Sequence, residues 1–156
     1  MEWTSLVGTV VGAVVTTASA VLPDRRRRHR ERGERETAVR RALYAEYLAV
    51  LAEARTGCAV LARDTGRDPA DRFTAAREVF APCERLRYQM AVTAPPVLVE
   101  AAHTAHRRLR DFRDRVIEGA LEHEPRYRES TAAFNEALAE LRALMREDLL
   151  GEGAVR

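Results

Sequence analysis

The sequence predicts an all-α protein: a hydrophobic N-terminal helix followed by an antiparallel four-helix bundle. Three observations predict it. Residues 3–22 run for 20 positions without a charged side chain. After residue 34, apolar residues recur at spacings of three and four, which places them on one face of a helix. No segment alternates apolar and polar residues with the period of two that a half-buried strand needs. The expected organisation is a hydrophobic anchor over 1–23, a basic segment over 24–35, a bundle over 36–151 and a short tail over 152–156.

The first element is read as a membrane span. Twenty helical residues cover about 30 Å, the thickness of a hydrocarbon core. Trp3 stands where an interfacial aromatic would, and Pro23-Asp24 ends the run just before the arginines. A secretory signal would carry its positive charge ahead of the apolar stretch, whereas here only Glu2 precedes it. Ser5, Gly8, Gly12, Thr16 and Ser19 fall on one face of this helix, and Gly8 and Gly12 form a G-x-x-x-G pair. Such a face lets two membrane helices approach closely, so self-association through it is expected. The same Thr, Ser and Gly residues dilute the Val and Leu content. A helix lying flat in the interface or packed on the bundle is therefore the alternative.

Charge along the chain is uneven. All 26 basic side chains are Arg, and there is no Lys. Residues 24–35 hold seven Arg against three acidic residues, a net +4. Residues 1–23 and 36–156 each sum to −1. The positive excess is confined to one stretch, which argues against a nucleic-acid-binding domain, where it would spread over a folded face. Arg25, Arg26, Arg27, Arg28 and Arg30 are expected to contact anionic lipid headgroups, each at about 1 kcal/mol. By the positive-inside rule they keep the bundle in the cytoplasm.

Four amphipathic helices follow. The first is expected over about 34–63, after Gly33, with a stripe of Val39, Leu43, Tyr47, Val50, Leu51, Ala54, Cys58 and Leu61. Tyr44 and Tyr47 are expected to pack with their hydroxyls at the rim. The turn from Asp64 to Asp68 gives Gly66 the left-handed position. Asp68 as N-cap and Pro69 at the first helical position open a helix over about 69–93. Its stripe is Phe73, Ala76, Phe80, Cys83, Leu86 and Met90, and Pro82 predicts a kink or short break near 78–82. Pro95-Pro96 open the third, over about 96–120, with Leu98, Ala101, Ala102, Ala105, Leu109, Phe112, Val116 and Ala120 inward. A polar loop from Glu122 to Arg128 precedes the fourth, over about 129–150, built on Phe134, Ala137, Leu138, Leu141, Leu144, Met145 and Leu149. Loops of this length suit up-down-up-down, coiled-coil-like packing.

Composition excludes several chemistries. Without Lys there is no Walker-type phosphate loop, Schiff-base lysine or Ser-Lys dyad. Ser5, Ser19 and Ser130 are the only serines, and none lies in a nucleophile elbow. Cys58 and Cys83 are read as buried, reduced residues on neighbouring helices, and two cysteines do not make a zinc site. Glu100, His103 and His106 have the Glu-x-x-His spacing used by di-iron bundles, but those sites need two such motifs and this chain has one. Ala101, Ala102 and Ala105 put the two histidines at the edge of the apolar face, as boundary residues rather than metal ligands. No cofactor and no catalytic residue is expected.

The stretch Arg40-Arg41-Ala-Leu43-Tyr44-Ala-Glu46-Tyr47-Leu48-Ala, after a hydrophobic segment and a basic flank, resembles a group of small actinobacterial proteins. These pair an N-terminal hydrophobic segment with a helical domain that begins with an Arg-x-x-Leu-Tyr-x-x-Tyr-Leu-like pattern. The stretch from Ala94-Pro95-Pro96 to Glu100-Ala-Ala is similar to a later pattern in the same group. The resemblance implies an architecture but no activity. The expected function is a non-enzymatic interaction or scaffold protein on a bacterial cell membrane, with a single-pass anchor and a protein partner. A metal- or ligand-sensing bundle, or a membrane-active effector using the N-terminal helix, are the alternatives.

Overall fold

The computed structural model describes the backbone of residues 3–154 and the side chains of residues 31–151. Among the described residues it is all-α: α1 (Trp3–Arg63), α2 (Pro69–Thr93), α3 (Pro96–Ile117) and α4 (Pro125–Ala154), with no strand. The chain divides into two compact units, Met1–Val39 and Arg40–Arg156.

In the first unit, the backbone is helical through both Pro23 and Gly33, where the sequence suggested boundaries. The hydroxyl of Thr37 donates to the Gly33 carbonyl at 2.9 Å. The side chains of the small-residue face (Ser5, Gly8, Gly12, Thr16, Ser19) and of Arg25, Arg26, Arg27, Arg28 and Arg30 lie outside the described residues. No helix among the described residues is long and apolar enough to cross a membrane, and the expected anchor side chains are outside that set.

The second unit is a helical bundle around one core. Its contacts fix how the helices run. On α1, Tyr44 meets Asp148 near the end of α4, and Arg63 meets Glu122 just before α4 begins. Glu46 pairs with Arg85 while Gly57 abuts Val79, so α2 runs back along α1. Phe80 packs on His106 and under Arg113, and Phe112 on Tyr127, so α2, α3 and α4 also alternate in direction. The fully buried set includes Tyr47, Leu51, Leu86, Met90, Leu109, Phe112, Phe134 and Leu141.

Local signals explain the helix ends. The Asp68 carboxylate accepts from the Ala70 N–H at 2.8 Å and caps α2. Gly119 has φ +89°, the conformation glycine takes without a Cβ clash. Its N–H donates to the Val116 carbonyl and that of Ala120 to the Arg115 carbonyl, closing α3 three residues before the expected end. The left-handed glycine is thus Gly119 and not Gly66. The α1–α2 turn is instead held by Arg72, which donates to the Asp64 carbonyl at 2.9 Å. The fourth helix starts earlier than expected, because Pro125 occupies its first turn rather than a loop. That extra turn brings Tyr127 into the core.

Three core expectations are corrected, those of Val39, Phe73 and Tyr47: Val39 is exposed, one residue before the unit that carries the core begins. Phe73 is exposed, because Arg72 beside it already reaches Asp64 and Gly119, where α1 and α3 have ended; Arg77 covers its ring instead. Of the kink or short break expected near Pro82, the break does not occur: α2 is continuous from Pro69 to Thr93. The carbonyl that proline leaves unbonded belongs to Glu78, on the exposed face where water can serve it. Tyr47 does not keep its hydroxyl at the rim: it is fully buried and donates across the core to the Ala102 carbonyl at 3.2 Å.

Gly57 lets α1 pack closely on Val79 of α2. A Cβ there would stand 2.9 Å from Val79 Cγ1 and 3.1 Å from Val79 Cβ, too near for a branched side chain to yield cheaply. Gly57→Ala should therefore destabilise the protein by roughly 1–2 kcal/mol in urea denaturation, despite alanine's better helix propensity. In a Val79→Ala background the same substitution should cost about 1 kcal/mol less, since the two methyl contacts are gone and only the Cβ contact at 3.1 Å remains. Equal effects in both backgrounds would show that the helices are not in contact here.

Candidate functional site

The most unusual chemistry lies between α2 and α3. In α3, residues 102, 106 and 109 share one face, and that face is buried. His106 is 4% exposed, so it is a core residue and not the boundary histidine expected from the sequence. Its ring packs on Phe80 with centroids 4.9 Å apart. Phe80 also carries the Arg113 guanidinium 4.4 Å from its ring centroid, a cation–π contact. Arg113 also donates through two nitrogens to Asp114 Oδ1, at 2.9 and 2.7 Å.

Glu84 on α2 completes the seam. Its Oε1 lies 3.3 Å from His106 Nε2, close enough for an ion pair but not aligned for a hydrogen bond, so Nε2 is buried without an aligned partner. Oε2 accepts from Arg87 at 3.1 and 3.3 Å. Burial drives the imidazole's pKa down to about 4; Glu84 opposes this, while Arg87, Arg110 and Arg113 reinforce it. The imidazole is therefore neutral at neutral pH.

The remaining candidates are placed as follows. Glu100 is exposed and His103 half-buried, while His106 turns to Glu84. The three do not converge, and among the described residues no group of three His, Cys, Asp or Glu side chains could hold a metal ion. Cys58 and Cys83 are both buried and free. Burial raises their thiols to about 11 and about 12, so they are protonated and poor nucleophiles. Cys83 donates to the Val50 carbonyl at 3.5 Å. A groove of about 540 Å³ between α3 and α4 is lined by charges of both signs, among them Arg108, Asp111, Arg126 and Glu129. Ser130 at its edge donates to the carbonyls of Arg126 and Tyr127, each at 3.0 Å.

The seam gives the fold an acid sensitivity of fixed sign. Unfolded, the imidazole binds its proton near pH 6.5; folded, only near 4. Between those values the unfolded chain holds the extra proton, so the stability that His106 contributes falls as pH drops from about 6.5 to about 4 and its own effect is complete below that. His106→Leu should remove this contribution, lowering proton uptake on unfolding by roughly one between pH 6.5 and 4.5. Urea midpoints measured across that range give the slope, and an unchanged slope in the variant would place the titration elsewhere.

No family model matches the chain, and no curated protein or solved structure matches it either.

Proposed function

We propose that the protein is a membrane-anchored, non-enzymatic helical interaction protein on the cytoplasmic face of a bacterial cell membrane. The observation that carries this reading is the order of chemistry along the chain. Twenty uncharged residues are followed by seven arginines within twelve positions, and then by a near-neutral folded unit. An apolar run stabilises a helix in hydrocarbon, and arginines on one flank set its orientation. The likeness of the Arg40–Ala49 stretch to small actinobacterial proteins supports the same architecture.

The folded unit adds surface suited to a partner. Val92 is 88% exposed, Leu150 72%, Tyr88 63% and Val97 59%. Val92 and Val97 flank the α2–α3 turn, and Leu150 lies two residues beyond Asp148, which meets Tyr44. They share the bundle end at which this unit begins. Exposed apolar side chains gathered in one region support contact with another protein or a membrane.

The anchor is tested by extraction. The full-length chain should stay in the membrane pellet through both high salt and alkaline carbonate, and a chain beginning at Thr37 should be soluble and unfold cooperatively. Release of the full chain by carbonate would overturn the spanning helix, and release by salt alone would leave only electrostatic attachment.

A further inference from the structure

The outward face of α1 differs from those of α3 and α4. Helix α3 exposes Arg107, Arg108, Arg110, Asp111 and Arg115, and α4 exposes acidic and arginine side chains throughout its length. Along the centre of α1's outer face lie Ala42, Ala45, Ala49, Ala52, Thr56 and Ala59, all exposed except the half-buried Ala59. Their spacing alternates between three and four, the seven-residue repeat of a coiled-coil seam. Val60, 57% exposed, widens the apolar strip, and Leu48 edges it while packing partly on the chain's own core. A helix that already buries one face in its own bundle thus carries a second, uncharged face on the opposite side.

The charges beside this strip say what covers it. In the seven-residue repeat, Arg41, Leu48 and Arg55 occupy one flank, and Glu46, Glu53 and Val60 the other. When two copies pair in parallel, each flank faces the opposite flank of its neighbour, five residues further along. Arg41 then meets Glu46 of the second copy, twice by symmetry, while Leu48 meets the stem of Glu53 and Val60 that of Arg55. In an antiparallel pair like flanks meet, setting the exposed Glu46 toward the exposed Glu53, which is repulsive. Glu46 already pairs with Arg85 of its own chain at 3.4 Å, an exposed contact that leaves one carboxylate oxygen for a second arginine. Small side chains at the centre let the two helix axes come within about 8 Å.

From this apolar face and its flanking charges, we propose that the outer face of α1 between Arg41 and Val60 is a homodimer interface in which a second copy of the chain packs in parallel. The proposal does not require the N-terminal segment to span a membrane.

The test uses the full-length chain with a single added cysteine, since Cys58 and Cys83 are buried. In a parallel pair Ala42→Cys stands opposite itself and should form a disulfide-linked dimer on mild oxidation. An antiparallel pair would hold the two cysteines about 20 Å apart. Glu140→Cys, on the outer face of α4, should stay monomeric. Adding Arg41→Glu should slow cross-linking by about tenfold, and Glu46→Arg in the same chain should restore it. Cross-linking should persist when Gly8 and Gly12 are replaced by leucine. Three results would overturn the interface: cross-linking at position 42 no faster than at 140, failure of the charge swap to restore it, or its loss in the Gly8 and Gly12 variant. The last would assign association to the N-terminal segment, and carbonate extraction reports separately on the anchor.

Discussion

A phenol hydroxyl enclosed in a helical bundle must find an acceptor, and Tyr47 finds one in the Ala102 carbonyl across the core. Much of the folded unit is organised around that bond. It ties α1 to α3 across the core; because backbone carbonyls recur at every helical turn, the height of α1 is fixed by this bond together with the packing of the buried Tyr47 ring. With that height set, Tyr44 reaches Asp148 at 2.8 Å and Arg63 reaches Glu122, so α1 is tied at both ends of the unit. Such ties stabilise only modestly when exposed, but they favour one register over its neighbours. The close contact at Gly57 sets the distance to α2, while Tyr47 sets the height.

The α2–α3 seam shows how a small core accommodates a polar ring. The imidazole of His106 is desolvated, stays neutral and packs as an aromatic against Phe80. Arg113 caps the seam by stacking on that ring while its charge is met by Asp114. Glu84 is the hinge between the seam and solvent: its carboxylate is held by Arg87 and is the first anion an incoming proton on His106 would meet. Protonation would bring charge into a site flanked by three arginines and one half-exposed carboxylate, which is why the folded seam keeps the imidazole neutral.

The sequence made the helices legible, along with most of the core. Asp68-Pro69 marked the start of α2, and the double proline that of α3, since capping and fixed φ act locally. What local signals could not give was the environment. Pro125 reads equally well as a loop residue or a first-turn residue, and only packing of Tyr127 on Phe112 favours the latter. Phe73 has the right spacing for the core, but its partner helices end too soon. His106 was legible in principle, because it lies four residues after Ala102 and three before Leu109; its polarity concealed its position. Tyr47 was placed at the rim because a hydroxyl ordinarily seeks water, and an acceptor on a distant helix leaves no trace in one sequence. The outer face of α1 was equally hidden until burial separated its two apolar stripes.

These features describe a bundle whose first helix serves as a core element on one side and presents an uncharged surface on the other. The central claim is that the stretch of α1 within this unit is an integral wall of the core, locked to α3 through Tyr47. Native-state hydrogen exchange across a urea series tests it most directly. Amides of residues 47–61 should exchange only through global unfolding, with protection within about tenfold of residues 101–116 in α3. If residues 47–61 instead open about a hundredfold or more readily while α3 stays protected, α1 is a separable helix and the account fails.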